Sequence, residues 1–199
     1  MADIQGNDQF VIRQQVFTLF AQKFHVYDSA GKVVMFCQQK AFKLREDIRL
    51  YADDSKSQEV MAIRTPHVLD FGATYEVVDS PTGRPIGSVQ RKGLKSMLRD
   101  EWSVYDVNGR EVAKVREDST GLAILRRIIN DYGGTILLPQ RFHLESNDGG
   151  GVLARFSQNR NPFVRRLTID LSGDRGNVLD RRLVIAIGLL LSAIEGKQN

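Results

Sequence analysis

The chain has 199 residues, of which 42% are hydrophobic and 26% are charged, a composition typical of a globular domain with a sizeable core. Its single cysteine, Cys37, excludes an intramolecular disulfide and a cysteine-based metal site, and it favours a reducing compartment. The net charge of +4 favours anionic partners but falls short of the dense basic surface of a dedicated nucleic-acid-binding protein.

The chain starts with MADIQGNDQ, which is polar and slightly acidic. This segment lacks the basic start and the apolar stretch of a secretion signal, so we expect a cytoplasmic protein. We also expect residues 1–9 to form a flexible N-terminus. Residues 10–196 are expected to form a single domain, because no low-complexity stretch or Pro/Gly/Ser-rich linker divides them.

One short pattern then repeats along the chain: an alternating run, an acidic residue, a Gly-bearing turn and a second alternating run. Alternation places side chains two apart on the same face of a strand, and turn glycines supply the positive φ of tight hairpins. The pattern therefore predicts β-hairpins that begin at Phe24, Tyr75, Trp102, Phe142 and Leu167. The predicted strands begin near residues 11, 23, 33, 47, 60, 74, 86, 102, 111, 141, 152 and 166.

A longer period contains the short one, since LREDIRLYAD at 44–53 matches LRDEWSVYDV at 98–107. Three double hairpins give twelve strands, whereas a kelch-like propeller needs at least four blades of four strands. The pattern thus favours a closed barrel. Twelve strands enclose a lumen too wide for the facing side chains to fill, so another element must occupy it.

Residues 118–140 enlarge the link into the third double hairpin. The apolar residues of this insertion have helical spacing, which predicts a short amphipathic helix. Such a helix would suit the docking of a protein partner. The spacing is carried by Leu122, Leu125, Ile128 and Ile129.

The chain ends with LVIAIGLLLSAI at 183–194, which is apolar on every side and has no face for water. Asp180 can cap a helix here and Gly196 can end it, so we predict a helix over residues 181–195. At about 1.5 Å per residue the apolar run reaches roughly 18 Å, too short for a bilayer core of about 30 Å. We predict that this helix fills the barrel. Arg181 and Arg182 oppose its dipole at a cost of a few tenths of a kcal/mol each.

With hairpins, barrel and central helix in place, the chain resembles the LURP-one-related family, whose relatives in fold are phospholipid scramblases and the carboxy-terminal domain of tubby proteins. The resemblance rests on FVIRQQVFTLFAQKFHVYDSAGKVVM at 10–35, the hairpins at 75 and 102, and TIDLSGDRGNVLDRRLVIAIGLLLSAIE at 168–195. It implies a mainly β fold, a twelve-stranded closed barrel around the C-terminal helix. The scramblase calcium site does not carry over, because Asp170 is the one carboxylate in NRNPFVRRLTIDL at 159–171.

For function, the resemblance implies a non-enzymatic module that binds anionic phospholipid headgroups at a membrane surface. Each basic residue near an anionic membrane contributes about 1 kcal/mol, and a headgroup site would gather several of them. The expected headgroup residues are Arg91, Lys92, Lys95, Arg165 and Arg166. Solvated strand ends remain the alternative for these residues, and a protein-interaction scaffold acting through 118–140 is the alternative function.

No arrangement of residues predicts catalysis, a metal site or a cofactor. His25 and His143 follow the leading aromatic residue of two hairpins and are expected to be surface positions, since metal binding needs three or four convergent ligands. Aromatic residues do not interleave with the basic clusters, so no nucleic-acid partner is expected. Cys37 lies in the apolar run VVMFCQ and is expected to be a buried, inert thiol. The sequence leaves the oligomeric state open.

Overall fold

The computed structural model describes residues 4–15, 21–40, 47–65, 68–69, 72–91, 102–118, 140–160 and 164–195. Within these ranges the chain forms β-strands followed by one long α-helix, α1 (Arg181–Glu195). The strands are β1 (Gln9–Gln15), β2 (Ala21–Asp28), β3 (Val33–Lys40), β4 (Ile48–Tyr51), β5 (Glu59–Arg64), β6 (Val68–Leu69), β7 (Gly72–Asp79), β8 (Arg84–Arg91), β9 (Trp102–Tyr105), β10 (Glu111–Glu117), β11 (Arg141–Ser146), β12 (Val152–Arg160) and β13 (Val164–Asp170).

The strands form an antiparallel barrel in the order β5-β4-β3-β2-β1-β13-β12-β11-β10-β9-β8-β7. The ring closes where β5 pairs with β7, from Met61 opposite Asp79 to Arg64 opposite Glu76. The two-residue strand β6 pairs with the start of β7 and lies outside the ring. The predicted closed barrel of twelve strands is therefore confirmed, with β6 as an addition that the repeat did not indicate.

Alternation along the strands sorts the side chains between the lumen and the outer wall. In β1, for example, Phe10, Ile12 and Gln14 are buried, while the residues between them are partly exposed. Each predicted strand start lies within about two residues of the observed one, because alternation and turn glycines are local signals.

The helix α1 lies inside the barrel, where its residues from Leu183 to Ala193 are all buried. It packs mainly against β1, β8 and β13. Gly188 permits this approach, because a Cβ there would lie 2.8 Å from Ile169 Cδ1 and 2.9 Å from Ile12 Cδ1. The prediction of a helix that fills the lumen is confirmed.

The start of α1 satisfies its free backbone amides with side chains. Asp180 Oδ1 accepts a hydrogen bond of 2.9 Å from the amide of Arg182, so the predicted cap is present. Gln5 Oε1 accepts a hydrogen bond of 3.2 Å from the amide of Arg181, and Gln5 Nε2 donates one of 2.8 Å to Asp180. The predicted end at Gly196 lies outside the described residues.

The N-terminal segment differs from the flexible tail that we expected. Ile4 is buried in the core, Gln5 caps α1, and β1 already begins at Gln9. Residues 4–9 therefore contact the barrel and the start of the helix. Of the 118–140 insertion, only Asp118 and Gln140 belong to the described residues.

Candidate functional site

The antiparallel ring gives the barrel two chemically different ends. At one end, named the turn end, tight turns close the hairpins and α1 begins. At the other, named the basic end, β1, β3, β5, β8, β10 and β12 finish. At about 1.5 Å per residue, α1 is roughly 22 Å long and runs from the turn end towards the basic end.

At the turn end, the acidic residues of the repeat hold the turns together. Asp28 Oδ1 accepts hydrogen bonds from the amides of Ala30 and Lys32, at 3.0 and 2.9 Å. Asp106 does the same for Asn108 and Arg110, both at 2.9 Å. These contacts are Asx turns, which explains the Asp before these two Gly-bearing turns without any functional role.

Charge is distributed unevenly between the two ends. Acidic residues outnumber basic ones at the turn end, whereas the reverse holds at the basic end. The turn end carries Asp8, Asp28, Asp53, Asp54, Glu59, Asp79, Asp106, Glu111, Asp148, Asp170, Asp174 and Asp180, against Lys32, Lys56, Arg84, Arg110, Arg175, Arg181 and Arg182. The described residues of the basic end include Arg13, Lys23, Arg64, Arg91, Arg116, Arg141, Arg165 and Arg166, against Asp47, Glu76, Glu117 and Asp118.

Three of the five expected headgroup residues are described, and all three lie at the basic end. Arg91 ends β8, with its guanidinium 5.7 Å from the centre of the buried Trp102 ring. Arg165 lies two residues before the buried Leu167 on the same strand, so its side chain points inwards. The side chain of Arg166, between them, points outwards. Adjacent basic residues on one strand thus point to opposite sides of the wall. Lys92 and Lys95 lie outside the described residues.

The three residues share an end of the barrel but not a patch on its wall. Four strands separate β8 from β13 along the ring. At about 4.8 Å per strand, the separation along the wall is roughly 24 Å. A ligand that contacts Arg91, Arg165 and Arg166 together must therefore be an extended surface that covers the mouth of the barrel.

Arg181 and Arg182 formed another basic cluster in the sequence, but both are neutralised at the turn end. Arg181 is buried and donates to Asp174 at 2.6 Å and to Asp8 at 2.9 Å. Arg182 donates to Asp180 at 2.8 Å and to Asp79 at 2.6 Å. The hydrogen bonds that Arg182 donates to Asp180 and Asp79 hold its pKa above the ordinary value, with Asp180 the larger contributor. These two arginines stabilise the helix start and are not available to a ligand.

The described residues contain no group of three or more His, Cys, Asp or Glu side chains that could hold a metal ion. His25 faces outwards and pairs with Asp54 at 2.8 Å, and its ring contacts that of Phe36 in a tilted arrangement with ring centres 5.0 Å apart. Cys37 is buried, and this burial raises the pKa of its thiol to about 12 despite the opposing charge of Lys56. Such a thiol stays protonated and unreactive near neutral pH.

A cleft of about 280 Å³ opens at the turn end, between the N-terminal segment and the hairpin turns. Lys32 and Asp53 are its charged lining residues, and the remainder of the lining is apolar. The cleft therefore offers no convergent set of polar groups for a small ligand. In the part of the chain that the structure describes, no helix has the length and apolar character needed to cross a membrane.

A family model described as LURP-one-related matches residues 8–92 and 34–192 of the chain, which together span the barrel and most of α1. The chain belongs to the LURP-one-related family. A solved structure shares the fold of this LURP-one-related protein: an X-ray structure of a protein from Arabidopsis thaliana, with a TM-score of 0.50 and 10% sequence identity. The alignment covers 94% of this chain and 91% of the other. No curated protein matches the chain.

Sequence reasoning missed Arg13, which has no basic neighbour in the sequence. In the LURP-one-related barrel, β1 lies between β2 and β13, and this places Arg13 directly opposite Arg166. Strand register is a long-range property, so the residues around Arg13 carry no local signal of this neighbour.

Proposed function

We propose that this LURP-one-related protein is a non-enzymatic, cytoplasmic binding module that attaches peripherally to membranes through anionic phospholipid headgroups. The uneven distribution of charge between the two ends of the barrel is the observation that carries the proposal. A membrane facing the basic end would meet Arg91, Arg165 and Arg166, while the acidic turn end would point away. The family and the barrel fold support a binding module, and the lipid specificity is our proposal.

Electrostatics gives the expected magnitude. About 1 kcal/mol per basic residue near an anionic surface makes three residues worth roughly 3 kcal/mol, or more than a hundredfold in affinity. The attraction should weaken with salt, because the screening length falls from about 10 Å at 0.1 M salt to about 3 Å at 1 M. The proposal therefore predicts strong binding to anionic vesicles at low salt and loss of that binding at high salt.

Co-sedimentation with two kinds of vesicle tests this. One kind is pure phosphatidylcholine, and the other contains about 20% phosphatidylserine as a source of negative surface potential. We expect the protein to pellet with the second kind alone. Equal binding to both kinds at low salt, or no binding to either, would contradict the proposal.

A protein-interaction scaffold acting through the 118–140 insertion is the second candidate. The base of this insertion is closed, because the amide of Asp118 donates to the carbonyl of Arg141 at 3.0 Å. Residues 119–139 can therefore be replaced by a short Asn-Gly turn without breaking the pairing of β10 with β11. A partner that the intact protein retains and this variant loses would favour the scaffold. Unchanged recovery of the partner would count against it.

A further inference from the structure

Two arginines face each other across neighbouring strands on the outer wall of the barrel. Arg13 of β1 is paired in register with Arg166 of β13, between the inward-facing pairs formed by Ile12 with Leu167 and Gln14 with Arg165. Side chains at directly opposed positions have Cβ atoms about 4.5–5.5 Å apart, so Arg13 and Arg166 start from neighbouring positions on this surface.

The described strand positions next to this pair carry no Asp or Glu, and the nearest carboxylate contact is that of Asp54 with His25, the strand partner of Arg13, at 2.8 Å. The strand partners of Arg166 and Arg13 on the outer sides are Asn159 of β12 and His25 of β2. The outward-facing residues two positions away include Lys23, Val11 and Thr168. Like charges at directly opposed positions destabilise a sheet, and within the described residues neither Arg13 nor Arg166 forms an ion pair that would offset their repulsion.

Other arginines of the outer wall have acidic partners. Arg116 of β10 donates to Glu145 of β11 at 3.0 Å, and Arg49 of β4 donates to Glu59 of β5 at 2.9 Å. Arg155 of β12 lies opposite Asp170 of β13. The side chain of Arg166 has neither a hydrogen bond nor an ion pair within the described residues, unlike those of Arg116 and Arg49, and no acidic residue lies opposite it as Asp170 lies opposite Arg155.

Arg13 is held in place without using its hydrogen-bonding capacity. Its guanidinium carbon lies 4.6 Å from the centre of the Tyr27 ring, within the range of a cation–π contact. Its Nε is buried and has no hydrogen-bond partner. Because the ring already orders the side chain, a ligand that accepts hydrogen bonds from Arg13 would lose less conformational entropy on binding.

We propose that Arg13 and Arg166 form a subsite for a phosphomonoester, the terminal phosphate of an anionic lipid headgroup. Two guanidinium groups that reach the same ligand match the charge and the several acceptor oxygens of a dianionic phosphate. A phosphodiester, with one negative charge, satisfies them less well. The inference deepens the proposed function and rests on it for the source of the phosphate, since a soluble phosphate has the same chemistry.

The test compares vesicles that contain phosphatidic acid, a phosphomonoester, with vesicles that contain phosphatidylserine at matched surface charge. A third arm titrates inorganic phosphate and follows the Arg13 Nε–H signal by NMR. The variants are Arg13→Gln and Arg166→Gln, and the matched control is Arg155→Gln, an outward-facing arginine on the next strand that is paired with Asp170. Thermal unfolding checks that all three variants are folded.

We expect the wild-type protein and Arg155→Gln to prefer phosphatidic acid, and each subsite variant to lose about tenfold in affinity for it, as when a hydrogen bond to a charged group is removed. Binding to phosphatidylserine should change little. Wild-type preference for phosphatidic acid that survives in both subsite variants would overturn the subsite and leave membrane binding standing. Binding of inorganic phosphate through Arg13 without binding to any vesicle would overturn the proposed membrane binding and leave the phosphate subsite standing. No binding to any of the probes would overturn both.

Discussion

The buried ion pair beneath the start of α1 gives the sharpest prediction for stability. Arg181 Nη1 donates to Asp174 Oδ2 at 2.6 Å, and the side chains are 2% and 0% exposed. The Asp174 carboxylate also accepts hydrogen bonds from the amides of Val178 and Leu179, at 2.9 and 3.2 Å. Removing one partner of a buried pair leaves an uncompensated charge, which costs about 3–5 kcal/mol.

For Asp174→Asn we expect the lower part of that range, about 3 kcal/mol, because Arg181 keeps its contacts with Asp8 and Asn177. In a domain of this size, 1 kcal/mol corresponds to roughly 2–4 °C, so the melting temperature should fall by roughly 6–12 °C. The loss is large against a total stability of about 5–15 kcal/mol.

Urea unfolding followed by the fluorescence of Trp102, the single tryptophan and a buried one, measures the free energy of unfolding directly. Asp148→Asn is the control, because Asp148 is 72% exposed and its contact with Arg110 is 3.4 Å long. Such a surface pair contributes about 0–1 kcal/mol. A loss in Asp174→Asn no larger than that of the control would refute the reasoning about the buried charge.

Three further predictions concern the helix and the core. Ending the chain before Asp180 should leave an aggregating, β-rich chain, because the lost apolar burial, on the order of 12–24 kcal/mol, exceeds the stability of a domain; soluble truncated protein with a cooperative unfolding transition would contradict this. Burial raises the pKa of Asp180, but hydrogen bonds from Arg182 and Gln5 outweigh it and hold the pKa below its ordinary value. The resulting stabilisation is present above the unfolded pKa of about 3.9 and is lost as pH falls through the lower folded value, so Asp180→Asn should flatten the fall in stability below about pH 4 in acid titrations followed by circular dichroism. Cys37, with a pKa of about 12, should react with a thiol reagent at pH 8 only at the rate of unfolding, and fast labelling of the folded protein would show that the thiol is accessible.

The architecture could be predicted from the sequence because its signals are local. Alternation and turn glycines located the strands of the ring, and the all-round apolar character of residues 183–194 located the helix in the lumen. The strand β6 (Val68–Leu69) escaped prediction, since two residues are too few to show alternation. The contact of Gln5 with the helix start escaped prediction too, because Gln5 and its partner Asp180 are 175 residues apart in the chain.

The candidate site was harder to predict because side-chain neighbours on a barrel come from register. Sequence adjacency grouped Arg165 with Arg166, yet alternation separates them across the wall. The neighbour of Arg166 on the outer wall is Arg13, more than 150 residues away in the chain. Arg181 and Arg182 are adjacent in the sequence and look like a basic cluster there. The sequence does not show that they are neutralised, because their acidic partners Asp8, Asp79 and Asp174 come from three different parts of the chain.

The position of α1 also determines when the protein can fold during its synthesis. The ribosome makes the strands first and the helix that fills their lumen last, so the barrel cannot close around its core until the residues of α1 have emerged. Until then β5 and β7 present unpaired edges, which are sites of aggregation in nascent chains. The barrel therefore folds only once α1 has been made, whereas a barrel filled by its own strands could begin to close earlier.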